Sequence, residues 1–288
     1  MPATERVRAY DVHQHLWPES LISALAQRTA PPRLRGRRLE VPSEPAGEID
    51  LRAHSLDERL RLLDRDGIDV ALVSLAPTLE ADQHADLRAA YHEGILEVAS
   101  ASGGRIVPLA AGERREGFAG ACVSAPALVA GVEPLLEELA ATGQLLFVHP
   151  GPPAATPAGA PSWWPAVVEY TAQMQRAFVT WLARDAETHR ALPVVFAMLA
   201  GGAPIQLERL RSRGVELRTT LYPNVYLETS SYGRRALELC LATYGVTQLL
   251  YGSDAPVIDP AQTLSELRAF GDALAEVVLV ENPGRLLN

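Results

Sequence analysis

Short apolar runs alternate along this chain with longer stretches of helical period. The runs at 7–11, 70–75, 106–110, 120–124, 145–149, 194–198, 225–228 and 249–251 predict eight strands. Apolar positions at three- and four-residue intervals predict helices over 82–102, 133–142, 164–185, 205–213 and 234–244. A further helix starts at the capping box Ser55-Leu56-Asp57-Glu58 and ends near Gly67. Strands alternating with helices imply βαβ units and parallel pairing. Eight of them in 288 residues predict an α/β chain built as a (β/α)8 TIM barrel, a single domain over 1–288. A doubly wound open sheet is the rival architecture.

Two stretches interrupt the alternation. Residues 31–53 carry Pro31-Pro32, a basic run from Arg33 to Arg38, and Ser43-Glu44-Pro45-Ala46-Gly47. They follow strand one and its short helix, so they read as an insertion after strand one. Residues 150–164 are rich in Pro, Gly and Ala and follow strand five. In a barrel such loops build the active-site face.

The polar residues at strand ends carry the chemistry. In Asp11-Val12-His13-Gln14-His15, residues two apart point to one side, so Asp11, His13 and His15 are expected on one face. Their spacing of roughly 6–7 Å at Cα suits two imidazoles converging on one ion. His149 ends the fifth run, and Asp254 follows the eighth. Barrel geometry brings all four to one rim. Three imidazoles and a carboxylate suit one divalent metal ion, zinc first, with manganese, iron or cobalt possible.

Composition sharpens this. All 26 basic residues are arginine, so Schiff-base chemistry, a P-loop and a carboxylated-lysine metal bridge are excluded. A net charge of −9 argues against nucleic acid as a partner. No apolar stretch reaches the ~18 residues of a membrane span. The N-terminal residues show no secretory pattern, and the two cysteines, Cys122 and Cys240, read as core residues of a reduced protein. A cytoplasmic enzyme with a small-molecule substrate is expected.

With these motifs the chain resembles the amidohydrolase superfamily, in particular its aminocarboxymuconate-semialdehyde decarboxylase-like branch. The resemblance rests on Asp11-x-His13-x-His15, His149-Pro150, Gly201-Gly202, Gly252-Ser253-Asp254-x-Pro256 and the closing Asn282-Pro283-Gly284-Arg285-Leu286-Leu287. It implies a (β/α)8 barrel with one divalent ion on His13, His15, His149 and Asp254, and a possible homodimer. It also implies a histidine at the end of strand six, where this chain has Met198, and Ala197, Leu199 and Ala200 supply none. A thioether moves no proton at neutral pH.

Three functions follow as expectations. The first is a metal-dependent hydrolase of a small carbonyl or carboxylate compound, with Asp254 as catalytic base. The second is a non-oxidative decarboxylase. The third is a non-catalytic binding barrel, because of Met198. Candidate substrate-binding residues are Trp17 and Trp163, which would wall a flat substrate, and Arg33 and Arg35, which would grip a carboxylate. His54, Met198 and Glu228 complete that set. His84, His92 and His189 read as surface residues. The stripe of Tyr170, Met174, Phe178 and Trp181 reads as core or dimer contact.

Overall fold

The computed structural model describes residues 8–154, 156–214 and 222–287. Eight parallel strands pair in chain order: Tyr10–His15, Val70–Ser74, Ile106–Ala111, Gly120–Ser124, Leu145–His149, Val194–Phe196, Val225–Glu228 and Leu249–Leu250. They are called strands one to eight below. Helices run between them on the outside, and the strands themselves are buried on nearly every residue, as in a sheet covered by helices.

The barrel closes between strand one and the segment after strand eight. Val12 N–H donates to the Tyr251 carbonyl at 2.9 Å, Asp254 N–H to His13 at 2.8 Å, and His15 N–H to Ala255 at 2.7 Å. Arg59 seals this seam from the second helix, Leu56–Asp66, whose N-cap is Ser55. Its guanidinium is 1% exposed, and donates to Gln14 Oε1 at 2.6 Å and to the carbonyls of His15 and Ala53 at 3.0 Å each. Burial lowers its pKa to about 10, which still leaves it charged at neutral pH. At the other end of the barrel, buried Asn282 donates to the carbonyls of Val246 and Leu249, both at 2.7 Å. That gives the closing motif a structural role as an anchor for strand eight.

The eight strands predicted from the pattern are present, with two informative shifts. Strand one runs from Tyr10 to His15, later than the predicted 7–11, of which Val7 lies outside the described residues. Its polar second half continues the ladder because Gln14 and His15 pair with Val73 and Ser74. The register slips between Asp11 and Gln14, where strand one carries one extra residue. Alternation therefore does not carry Asp11 to the ligand face with His13 and His15. Its carboxylate instead accepts from Gln14 Nε2 at 2.7 Å and from the N–H groups of His13 and Ser253.

Strand six stops at Phe196, two residues before the predicted end. Met198, Leu199 and Ala200 then adopt left-handed backbone, with φ of 54°, 48° and 51°. Such geometry costs an L-residue roughly 1–2 kcal/mol. The turn is held by Met198 N–H to Glu228 Oε1 at 2.6 Å and by Gln175 Nε2 to the Gly201 carbonyl at 2.7 Å.

The insertion after strand one contains a small antiparallel sheet of Arg33–Arg35, Arg38–Glu40 and Gly47–Glu48. Cys122 and Cys240 are free and buried. His92 and His189 are a correction to the surface reading. His92 is buried and its Nε2 accepts from Ala111 N–H at 2.9 Å, while His189 is buried against Trp181. Neither element's pattern distinguishes a buried imidazole from a solvated one.

Candidate metal centre and active site

His13 and His15 end strand one, His149 ends strand five, and Asp254 follows strand eight. Their donor atoms all lie within 4.8 Å of one another. The three imidazole centroids are mutually 5.0 Å apart, with interplanar angles of 87°, 87° and 81°. The three rings surround one point, on which their donor atoms converge. Asp254 Oδ1 lies 3.1 Å from His15 Nε2 and 3.6 Å from His13 Nε2. Phe147, also on strand five, lies 5.1 Å from the His13 ring.

The outward nitrogens all face acceptors. Nδ1 of His13 faces Glu228 Oε1 at 3.0 Å, Nδ1 of His15 faces the Ser74 carbonyl at 3.1 Å, and Nδ1 of His149 faces the Pro150 carbonyl at 2.8 Å. In a neutral ring each acceptor draws the proton to Nδ1, which frees Nε2 to ligate an ion. His13 Nε2 and His15 Nε2 face each other at 3.2 Å. Two ring nitrogens this close need a shared proton or a cation between them, and with His149 and Asp254 alongside, the residues present fit a divalent ion.

The surrounding carboxylates reinforce this. Burial would lower the His13 imidazole, but Glu228, then Asp254 and Asp11, raise it to about 9. The site favours positive charge. For Asp254, burial would raise the carboxyl, but the His15 ring beside it and then the His13 and His149 imidazoles outweigh it and hold it below the usual value. Asp254 itself has φ 62°, a left-handed conformation that Asp tolerates better than most residues.

Glu228 is fully buried, and its oxygens accept from His13, Ser230 Oγ at 2.7 Å, Ser230 N–H at 2.7 Å and Met198 N–H. It orients His13 in a carboxylate–histidine pair of the kind that stiffens metal ligands. Gly252 of the strand-eight motif makes room for it. A Cβ there would fall 2.0 Å from Glu228 Oε2 and 2.8 Å from His13 Cβ.

Beside the ligands lies a cavity of about 550 Å³, lined among others by His15, Trp17, Glu44, His54, Thr78 and Val257. Trp17 and His54 stack at 4.5 Å between centroids and 13° between planes. Met198 is buried and does not line this cavity. Neither do Arg33, Arg35 or Trp163. Arg33 pairs with Glu40 at 2.7 Å and also donates to the Thr29 carbonyl, Arg35 is exposed, and Trp163 is 55% exposed against Trp164.

Contacts of the insertion that the sequence did not foretell also border the site. Tyr170 reaches from the helix Tyr170–Thr180 and donates to Glu44 of the insertion, while Met174, Phe178 and Trp181 are buried as the stripe implied. Ser43 N–H donates to Glu80 at 3.0 Å, which ties the insertion to the loop after strand two. Nothing in the Pro- and Gly-rich pattern around Glu44 distinguishes it from a solvated loop residue.

The profile of the Amidohydrolase family matches residues 10–288. Among curated protein sequences, none matches this chain. Solved structures share its fold. IDCase of Metarhizium anisopliae, in apo form, is 19% identical with a TM-score of 0.80, over 100% of this chain and 98% of that one. A dihydroxybenzoic acid decarboxylase of Polaromonas sp. JS666, with bound manganese and the inhibitor 2-nitroresorcinol, is 17% identical with a TM-score of 0.66, over 98% and 97%. A 5-carboxyvanillate decarboxylase of Novosphingobium aromaticivorans DSM 12444, complexed with manganese and 4-hydroxy-3-methoxy-5-nitrobenzoic acid, is 14% identical with a TM-score of 0.71, over 100% and 97%.

Proposed function

The chain belongs to the amidohydrolase family, and on that premise we propose that it is a metal-dependent, non-oxidative decarboxylase of small, flat carboxylic acids. The observation that carries this reading is the convergence of three imidazoles and Asp254 beside a cavity walled by Trp17. The similar structures of known activity act as decarboxylases, which supports loss of carbon dioxide over the hydrolysis that the motifs first favoured.

His13, His15, His149 and Asp254 would hold the ion. When bound, it would supply Lewis-acid polarisation of a substrate oxygen. Zinc suits the donor set, and manganese occupies two of the similar structures. Elemental analysis of the purified protein decides between them.

The substrate enters as a carboxylate, so one proton comes from solvent, and Asp254 would relay it to the carbon that loses carbon dioxide. The electron pair of the breaking C–C bond becomes the new C–H bond, and carbon dioxide leaves. Glu228 holds His13 in place throughout. Trp17 offers a flat apolar wall for a ring and helps exclude water.

Two free, buried thiols fit the reducing, cytoplasmic setting that belongs to this proposal. Among the described residues, no helix is long and apolar enough to cross a membrane. A homodimer is proposed on the family resemblance alone, and light scattering tests it.

The test is carbon dioxide release from a panel of hydroxybenzoic acids by metal-loaded protein. Release that depends on Asp254 supports the proposal. Cleavage of esters or lactones without carbon dioxide would return the hydrolase reading. Retained metal with neither reaction would leave the binding barrel that Met198 favours.

A further inference from the structure

His54 sits at the end of the short turn Leu51–His54, whose first residues are capped by Asp50. Its ring is held twice. One face stacks on Trp17, and Nδ1 accepts the Trp17 backbone N–H at 3.2 Å. An Nδ1 that accepts has no proton, so the ring proton is on Nε2. Burial, then Arg59 and His15, push its pKa down to about 3, so the ring stays neutral through the working range. His54 therefore brings to the cavity one fixed N–H donor and no charge.

The rest of the lining sets what that donor can read. The chain has no lysine, and no arginine lines the cavity among the described residues. Glu44, Glu48 and Asp50 do line it. One acidic group of a substrate has the metal ligands' end as its natural seat. A second would find carboxylates and no cation to pair with, and like charges brought together cost affinity.

We propose that His54 is a substrate-reading residue, whose Nε2–H binds an oxygen of the substrate in a cavity that accepts flat acids with one negative charge and rejects those with two. This rests on the decarboxylase reading for the identity of the natural substrate, but its test needs no turnover.

Manganese-loaded protein is titrated calorimetrically with two probes. Near neutral pH, 2-nitroresorcinol carries one negative charge and 4-hydroxy-3-methoxy-5-nitrobenzoic acid carries two. The singly charged probe should bind at least about 10-fold more tightly, a difference well within the cost of an unpaired like-charge contact. His54→Leu keeps the apolar stack on Trp17 and loses the donor. It should weaken that probe roughly 10-fold with manganese content unchanged, in line with a charge-assisted hydrogen bond. His54→Gln, which retains an N–H donor, should restore part of the loss. Nitrogen-15 spectra of the native imidazole should show the proton on Nε2 and no titration above pH ~5, where a free imidazole would titrate near 6.5.

Equal affinity for both probes, no binding of either, or indifference to His54→Leu overturns the proposal. So does a proton on Nδ1, a readout that holds even where a variant fails to fold. Binding as expected without carbon dioxide release from any acid would sink the decarboxylase reading and leave the role of His54 standing.

Discussion

Glu228 Oε1 faces His13 Nδ1 at 3.0 Å, and that contact decides which nitrogen of the ring reaches the ligand cluster. Replacing Glu228 with glutamine keeps the shape and removes the charge. Metal affinity should fall by about 10- to 100-fold, the usual cost of losing such an orienting partner. Calorimetric titration of the metal-free protein with manganese measures it. Unchanged affinity in Glu228→Gln would show that His13 is oriented without this carboxylate.

Gly252 tests the same contact from the other side. Gly252→Ala puts a methyl group where Glu228 Oε2 already lies, at 2.0 Å from the built Cβ. The carboxylate or the strand must move, at a cost of ~1–3 kcal/mol for overpacking. Denaturant unfolding should show the loss, and metal affinity should fall with it. A variant as stable as the parent would mean the strand end yields freely.

A single ion per chain is expected. The chain has no lysine to carbamylate, and among the described residues His13, His15, His149 and Asp254 form one cluster. Metal analysis after reconstitution should give a ratio of about one, since the folded donor set is the binding site. Two ions ~3.5–4 Å apart in a crystal structure would contradict this directly.

Ala200 occupies left-handed backbone at φ 51° without a glycine's freedom. Ala200→Gly should relieve roughly 1 kcal/mol of strain, a rise of ~2 °C in Tm for a chain of this size. Differential scanning calorimetry is the measurement. A lower Tm would mean that contacts of the Ala200 methyl outweigh the backbone strain.

Stability should fall on acidification through two histidines. Burial leads in holding His54 down to about 3 and His92 down to about 4, so both are neutral in the folded chain. An unfolded histidine takes up its proton near pH ~6.5, and the folded one only lower down. Their contribution is therefore complete above pH ~6.5 and is lost as pH falls towards the folded values. Asp11, raised to about 6 by burial, acts in the opposite sense over part of that window. The informative comparison is thus His92→Gln against the parent. The variant should lose less stability between pH ~6.5 and ~4, and a parallel loss in both proteins would contradict the assignment.

The alternation of apolar runs and helical period made the barrel legible, because a buried parallel strand must be apolar along its length. Strands four, five and seven begin and end where the pattern places them. The ends of strands one and six were harder. Gln14 and His15 extend a ladder through polar residues because their side chains turn into the closing seam and the ligand cluster. Strand six ends early in a left-handed turn that no propensity of Met198, Leu199 or Ala200 announces. The spacing of His13, His15, His149 and Asp254 was enough to propose a cluster, since strand ends meet at one rim. Glu228 as the partner of His13 was not readable, because it depends on two strands distant in sequence. Arg33 and Arg35 looked poised for a carboxylate, yet within the insertion's own small sheet Arg33 is spent on Glu40.

The seam sealed by Arg59 has a consequence for how the protein comes into being. His13 and His15 leave the ribosome well before Asp254. The barrel cannot close, nor the fourth donor arrive, until strand eight is laid against strand one. Half of the ligand set waits for His149, and three-quarters of it then waits for Asp254. An ion captured there clasps the two ends of one ring and, by binding only the finished form, turns metal supply into a vote for completed folding.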